Sequence, residues 1–147
     1  MEAVIFCGIQ ATGKSTFYRQ HFFRTHMRIN LDMLKTRWRE DIFLRACVEA
    51  GQPFVVDNTN TLAGERAKYI ALAKPAGFHI VGYYFQSRLE DALRRNAGRA
   101  GAERIPDQGL YMMRRRLQIP AYSEGFDRLY YVKIAGDGGF TVLEWRS

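Results

Sequence analysis

Cysteine, histidine and proline are scarce in this chain of 147 residues, which contains two, three and four of them respectively. Cys7 and Cys47 are too few for a disulfide framework and have no metal-binding spacing, so we expect two small buried residues in a reducing, cytoplasmic protein. No apolar run approaches the length of a membrane span, and no signal peptide is recognisable. These absences argue against a disulfide-rich secreted domain, a zinc module and a membrane protein.

Acidic residues are also fewer than basic ones, because the chain has 15 aspartates and glutamates and 22 lysines and arginines, which gives a net charge of +7. A basic balance is common in proteins that bind nucleic acid and also suits enzymes that act on anionic substrates. Hydrophobic residues make up 47% of the chain, which excludes wholesale disorder. The length predicts one domain over residues 1–147.

One stretch near the N-terminus matches a phosphate-binding pattern at every fixed position. Gly8, Gly13, Lys14 and Ser15 fit G-x-x-x-x-G-K-[ST], between an apolar strand-like segment and a helical pattern. The backbone N–H groups of such a loop, with the positive end of the helix dipole, bind phosphates. We therefore predict a nucleoside-triphosphate site, with Lys14 on the β- and γ-phosphates and the Ser15 hydroxyl on Mg²⁺. Its predicted residues are Gly8, Gln10, Ala11, Thr12, Gly13, Lys14, Ser15 and Thr16.

Apolar runs alternate with helical patterns along the rest of the chain, which predicts an α/β fold with a parallel sheet. The spacing of Leu34, Trp38, Ile42 and Ala46 predicts one helix from residue 31 to about 50. The segment 98–109 is rich in glycine and charge, and we expect it to be mobile. Strands are predicted at 2–7, 27–30, 53–57, 79–85, 130–134 and 141–145, the last two as a hairpin, and further helices at 15–23, 63–76, 89–99 and 107–118.

The segment Asn30–Lys35 carries a candidate catalytic base. Asp32 follows a predicted strand, and substrates of open parallel sheets bind beyond the carboxyl ends of the strands. A carboxylate there can accept the proton of a hydroxyl that attacks a γ-phosphate, and Lys35 can hold a phosphate of the acceptor. The alternative is that Asn30 caps a helix and Asp32 only complements its dipole.

A second polar segment follows the predicted buried strand 53–57. Asp57 at the end of that strand is placed to orient Mg²⁺ and its waters. Asn58 and Asn60 offer hydrogen bonds to a substrate in the same cleft, although an Asx-rich turn before the next helix explains these two residues equally well.

Arginines cluster in and after the predicted helix 89–99. Arg95 and Arg99 are four residues apart and share a helix face. Such a segment can close over a triphosphate and neutralise the charge that develops during transfer, so we predict a lid at about residues 87–106. The alternative is a solvated charged surface. The cluster consists of Arg88, Arg94, Arg95, Arg99 and Arg104.

Taken in order, these segments resemble the kinase domain of polynucleotide 5′-hydroxyl kinases, including the kinase half of polynucleotide kinase–phosphatases. The resemblance implies a P-loop kinase fold, three-layer α/β/α with a mainly parallel central sheet and a helical lid carrying arginines. The matching segments are Gly8–Thr16, Ile29–Asp32, Val55–Asn60, Glu65–Ala67, Leu93–Asn96 with Arg99, Ile105–Pro106 and Ala121–Phe126.

The resemblance also implies an activity, which is ATP- and Mg²⁺-dependent phosphorylation of 5′-hydroxyl ends of DNA or RNA. It assigns Lys14 and Ser15 to the nucleotide and metal, Asp32 to general base catalysis, and Arg99 and Arg95 to the lid. The family usually has an arginine before the base and another one turn on, and this chain has Leu31 and Lys35 there. Two alternatives remain, namely a kinase of a small hydroxyl acceptor (nucleoside, sugar or antibiotic) and an ATP-binding switch without catalysis.

Overall fold

A six-stranded sheet lies at the centre of the computed structural model, which describes residues 1–146. The strands lie in the order β2-β3-β1-β4-β5-β6, where neighbouring strands are parallel except for the antiparallel pair β5 and β6. In chain order they are β1 (Glu2–Cys7), β2 (Met27–Ile29), β3 (Phe54–Val56), β4 (His79–Phe85), β5 (Arg128–Ile134) and β6 (Phe140–Trp145).

Within residues 1–146, six α-helices connect the strands or follow them, and two short 3₁₀ turns, Gly101–Glu103 and Tyr122–Glu124, complete the regular structure of this described part. None of the helices within residues 1–146 is long and apolar enough to cross a lipid bilayer. The helices are α1 (Lys14–His21), α2 (Leu31–Leu34), α3 (Arg37–Ala50), α4 (Ala63–Ala73), α5 (Leu89–Ala97) and α6 (Asp107–Arg116).

Both faces of the sheet are covered, because successive strand residues point to opposite faces. On one face Ile5 and Ile80 of the sheet pack with Leu44 of α3 and Tyr69 of α4. On the other face, aromatic side chains of the sheet and of α1, such as Phe6 and Phe17, form the second half of the core. The predicted three-layer α/β/α fold with a mainly parallel sheet is therefore confirmed.

The predicted continuous helix over residues 31–50 is wrong, because the structure divides it into α2 and α3. Lys35 ends α2 with φ 74° and ψ −34°, and the Thr36 side chain then caps α3 by accepting from the N–H of Arg39. The predicted apolar face is also wrong, since Trp38 is 72% exposed while Glu40 is fully buried. Glu40 lies among hydrogen-bond partners from other elements, which a search for apolar periodicity does not detect.

The other predicted elements lie close to their expected positions. The closing strands form the predicted hairpin, and Ala135 donates its N–H to the carbonyl of Gly139 across the turn. Cys7 and Cys47 are buried free thiols, as expected. The segment 98–109 contains a 3₁₀ turn and the start of α6, and the side chain of Asn96 binds both the N–H and the carbonyl of Ile105.

Candidate active site

The phosphate loop joins β1 to α1 at the carboxyl edge of the sheet, where β1 lies between β3 and β4. Gly13 has φ 92° and ψ 12° at the N-terminus of α1. A Cβ at this position would lie 2.8 Å from the Phe140 ring. Gly8 approaches β4 so closely that a Cβ would lie 3.0 Å from the Cβ of Phe85. Both glycines are therefore required by close packing, and Gly13 also by its backbone conformation.

The loop presents unpaired donors to the cleft. Within residues 1–146, no backbone hydrogen bond uses the N–H groups of residues 11–16. Lys14 is buried and donates from Nζ to the carbonyls of Gly8 at 2.9 Å and Ile9 at 2.7 Å. Burial lowers the pKa of Lys14 to about 8, although nearby Asp57 favours the charged form. A bound anion would relieve this cost, so the loop fits a phosphate chain.

Three side chains meet beside the loop and test whether a divalent cation fits. Ser15 Oγ lies 3.2 Å from Asp57 Oδ2, which is nearly inaccessible to solvent. The guanidinium of Arg28 donates from Nε to Asp57 Oδ2 at 2.9 Å and from Nη2 to Ser15 Oγ at 3.1 Å. The Ser15 hydroxyl and the Asp57 carboxylate therefore already bind one cation, the guanidinium of Arg28. Two such oxygens fit Mg²⁺, because Mg²⁺ in nucleotide sites needs few protein ligands. Among residues 1–146 no cluster of three or more His, Cys, Asp or Glu side chains could hold a metal ion.

Helix α2 carries the predicted base and the acceptor-side lysine. Asn30 caps the helix by accepting from the N–H of Met33, and its Nδ2 donates to the carbonyl of Asp57 at 2.6 Å. Asp32 and Lys35 are exposed and line the same cleft as the phosphate loop. The predicted cap at Asn30 is thus present, and it holds the turn that bears Asp32 against the end of β3.

The amides after β3 have different surroundings. Asn58 accepts the N–H of Leu31 at 2.8 Å and donates to Glu40 Oε2 at 3.1 Å, so it joins α2 to α3. Asn60 has φ 45° and is buried, and its Nδ2 donates to the carbonyl of Phe6. Asn60 lines the cleft, but its amide nitrogen is engaged by the main chain of β1.

The arginine-bearing segment lies over the phosphate loop. Arg95 donates from Nη1 to the carbonyl of Ala11 at 3.3 Å, and Arg99 donates to the carbonyl of Glu103 at 3.2 Å. Arg99 lines the cleft, whereas Arg95 supports the loop from outside the cleft lining. Helices α5 and α6 anchor the segment, because Ala92 and Leu110 pack with Ile9 in a small third cluster.

One cleft of about 750 Å³ brings most of the predicted residues together. Its lining combines the loop residues 10–16 with Asp32, Lys35, Asp57, Asn60 and Arg99. Gly8 lies behind the loop and accepts a hydrogen bond from Lys14 through its carbonyl. Sequence reasoning gave no site role to five charged residues of the lining or to one behind it. The available signals were ionic spacing, such as the i,i+3 pair of Arg37 and Glu40, and for Glu65 its place in a segment that resembles the family. These residues are Arg19, Arg28, Arg37, Glu65 and Glu103 in the lining and Glu40 behind it.

Comparison with known proteins identifies the family. The sequence profile of a family described as AAA domain matches residues 4–120. A bifunctional polynucleotide phosphatase/kinase of Schizosaccharomyces pombe is 29% identical over 132 residues, which cover 85% of this chain and 32% of the relative. The chain spans about a third of the length of the curated relatives it matches. The resemblance inferred from the sequence motifs is therefore confirmed.

Solved structures with low sequence identity share the fold. A gluconokinase from Sinorhizobium meliloti has a TM-score of 0.63 at 20% identity, covering 91% of this chain and 83% of its own. A structure from the PezAT chromosomal toxin–antitoxin system of Streptococcus pneumoniae has a TM-score of 0.70 at 13% identity, covering 95% of this chain and 69% of its own. These likenesses support the three-layer P-loop kinase architecture.

Proposed function

The chain belongs to the AAA domain family, and from this premise we propose that it is an ATP- and Mg²⁺-dependent kinase of 5′-hydroxyl ends of DNA or RNA. One observation carries the proposal, which is that the phosphate loop and the exposed carboxylate of Asp32 line a single cleft. The named activity of the Schizosaccharomyces pombe relative supports a polynucleotide acceptor. The basic net charge of +7 agrees with it.

In the proposed reaction the acceptor hydroxyl oxygen attacks the γ-phosphorus, and Asp32 accepts the hydroxyl proton. The bond from the γ-phosphorus to the bridging oxygen breaks, and ADP leaves. Lys14 exchanges its two carbonyl acceptors for β- and γ-phosphate oxygens. Arg99 neutralises charge on the transferring group and helps to exclude water, while Arg95 supports the phosphate loop through the carbonyl of Ala11.

Ser15 and Asp57 are the residues that would hold Mg²⁺, which would supply charge neutralisation at the β- and γ-phosphate oxygens. Arg28 would leave at least one of these two oxygens when the metal binds, because its guanidinium contacts both. The backbone N–H groups of residues 11–16 would bind the phosphates, and closure of the lid at about residues 87–106 would complete the site.

The experiment is transfer of labelled γ-phosphate from ATP to DNA and RNA oligonucleotides that carry a 5′-hydroxyl. We expect Asp32→Asn to lower kcat by roughly 10²- to 10⁴-fold with ADP affinity retained, since proton transfer contributes about that factor. Lys14→Ala, in contrast, should lower both kcat and the affinity for ADP. Absence of label from both oligonucleotides, with protein that binds ADP, would exclude the polynucleotide acceptor.

A second candidate is a P-loop kinase of a small hydroxyl acceptor. Leu31 and Lys35 favour it, because they stand where polynucleotide kinases usually carry arginines that grip the phosphate of a strand. Label on a nucleoside, sugar or antibiotic hydroxyl, but not on oligonucleotides, would establish this candidate. A non-catalytic ATP switch would instead tolerate Asp32→Asn without loss of function.

A further inference from the structure

Arg37 lies where the acceptor side of the cleft meets a buried polar network. It is the first residue of α3, it lines the cleft, and its side chain is 50% exposed. The residues at the two positions where the family usually has arginines are weak candidates by comparison. Leu31 has no side-chain donor, and Lys35 offers a point charge rather than a planar fork.

The guanidinium of Arg37 makes hydrogen bonds on one side only, and its other side has a longer ion pair with Glu65. Its Nη1 donates to both carboxylate oxygens of Glu40, at 3.0 and 3.3 Å, and to the hydroxyl of Tyr69 at 3.1 Å. Within residues 1–146 no hydrogen bond uses its Nε or Nη2, and the Glu65 carboxylate lies 3.9 Å from Nη2. The Nε and Nη2 groups form the side-on edge of arginine, which donates two parallel hydrogen bonds to a phosphate or carboxylate.

Glu40 fixes that orientation before any ligand arrives. The carboxylate is fully buried and also accepts from Lys68 Nζ at 2.9 Å. Burial alone would raise the pKa of Glu40, but the hydrogen bonds from Lys68 and Arg37 outweigh it and lower the pKa. A charged carboxylate held by several donors is a rigid partner, so the guanidinium loses little further freedom on binding a ligand.

The same carboxylate is connected to the helix that bears Asp32. Glu40 Oε2 accepts from Asn58 Nδ2 at 3.1 Å, and Asn58 Oδ1 accepts the N–H of Leu31 at 2.8 Å. Leu31 is the first residue of α2 and immediately precedes Asp32. The network therefore sets the position of Arg37 relative to Asp32. Two residues on loops would be positioned less precisely than these two residues on helices.

We propose that Arg37 is the acceptor-phosphate anchor of this cleft, with Glu40 as its positioning residue. This inference rests on the proposed function. The 5′-terminal nucleoside of a strand is joined to the rest through its 3′-phosphate. The side-on edge of Arg37 exchanges its 3.9 Å ion pair with Glu65 for two oxygens of that phosphate, while the 5′-hydroxyl of the same nucleoside lies at Asp32. A nucleoside without the 3′-phosphate lacks this contact and binds more weakly.

The test measures binding rather than turnover, with calorimetric titration in the presence of Mg²⁺ and a saturating non-hydrolysable ATP analogue. The probes are thymidine 3′-monophosphate and thymidine. We expect wild type to bind thymidine 3′-monophosphate at least about 10-fold more tightly than thymidine, because a charge-assisted hydrogen bond contributes a factor of about this size to the affinity. Arg37→Ala and Arg37→Lys should each abolish most of this preference. The lysine variant keeps a cation beside Glu40 but has no side-on edge.

Arg39→Ala is the matched control. Arg39 belongs to the same helix, is exposed, and donates to the carbonyl of Leu34 outside the cleft lining. It should retain the preference. Glu40→Gln, which weakens the support of Arg37, should reduce the preference less than Arg37→Ala, and affinity for the ATP analogue should stay unchanged in every variant.

The outcomes separate this inference from the proposed function. Retention of the preference by Arg37→Lys or Arg37→Ala, or its absence from wild type, would overturn the anchor. Loss of the preference in the Arg37 variants but not in Arg39→Ala supports the anchor even if wild type labels no oligonucleotide. In that case the polynucleotide acceptor is wrong and the anchor serves a small phosphorylated hydroxyl compound. Melting temperatures and ATP-analogue affinity establish that each variant is folded.

Discussion

The two halves of the cleft are built by different means. The phosphate-binding part of the donor half is one contiguous segment, residues 8–16, whose ligand groups are mostly backbone N–H groups held by glycine conformations. The acceptor half takes side chains from α2, α3 and the loop after β3, namely Asp32, Arg37 and Asn58. A site of the first kind follows from a local sequence motif, whereas one of the second kind depends on contacts between segments distant in sequence.

The halves also differ in what holds them rigid. In the donor half, close packing of Gly8 and Gly13 against neighbouring side chains leaves no space for a Cβ. In the acceptor half, the buried carboxylate of Glu40 collects hydrogen bonds from Arg37, Lys68 and Asn58. We therefore expect backbone-changing substitutions to damage the donor half and charge-changing substitutions to damage the acceptor half.

The largest effect should follow Gly13→Ala in the donor half. An alanine at φ 92° would adopt a left-handed conformation and would place its Cβ 2.8 Å from the Phe140 ring. We expect the free energy of unfolding to fall by about 2–4 kcal/mol, from backbone strain and overpacking together. The affinity for ADP should fall by roughly 10-fold or more, as measured by calorimetry.

Gly64→Ala is the control for this substitution. Gly64 lies in α4, and no atom would lie within 4 Å of an added Cβ. The replacement should raise the free energy of unfolding by about 0.5–1 kcal/mol through helix propensity and should leave ADP affinity unchanged. If Gly13→Ala has the same free energy of unfolding and the same affinity for ADP as Gly64→Ala, the donor half does not depend on the backbone conformation of Gly13.

A smaller effect is expected at Arg28, which joins the two oxygens assigned to Mg²⁺. Arg28→Gln leaves the buried Asp57 without its ion pair, so the metal-free protein should lose about 1–3 kcal/mol of unfolding free energy. Mg²⁺ should restore part of that loss. The melting temperature with ADP should therefore rise more on addition of Mg²⁺ in the variant than in wild type.

Arg19→Gln is the matched control for Arg28. Arg19 also lines the cleft, but it donates to the Thr16 hydroxyl and not to a carboxylate. Its response to Mg²⁺ should equal that of wild type. An equal Mg²⁺ response in Arg28→Gln and Arg19→Gln would mean that Arg28 does not compete for the metal ligands.

The smallest effect on folding should come from Lys35, whose φ of 74° and ψ of −34° are unfavourable for a residue with a Cβ. Lys35→Gly should raise the free energy of unfolding by about 1 kcal/mol, because glycine adopts this conformation without strain. The same variant should raise the KM for the acceptor several-fold, because it removes a positive charge from the lining of the cleft.

Lys35→Ala separates the two contributions at this position, because it removes the charge and keeps the Cβ. It should raise the acceptor KM as Lys35→Gly does, without the gain in stability. A gain in stability from alanine equal to that from glycine would show that the backbone at Lys35 is not strained. An acceptor KM unchanged in both variants would remove Lys35 from the acceptor half.

The predictions from sequence succeeded where the relevant signal is local. The strands, the closing hairpin and the phosphate loop follow from apolar runs, turn residues and a fixed-spacing motif. The prediction of one continuous helix from residue 31 failed because Lys35 has a positive φ of 74°, which a lysine in the sequence does not indicate. The apolar periodicity that included Trp38 also failed, because the buried side of α3 contains Glu40.

The sequence alone determined the fold class, the phosphate loop and the position of Asp32 after a strand, since each depends on residues within about ten positions of one another. Only the tertiary structure revealed that Arg28 bridges Ser15 and Asp57, and that Glu40 supports Arg37. The physical reason is that a buried charge is stable only among partners that folding gathers from distant parts of the chain.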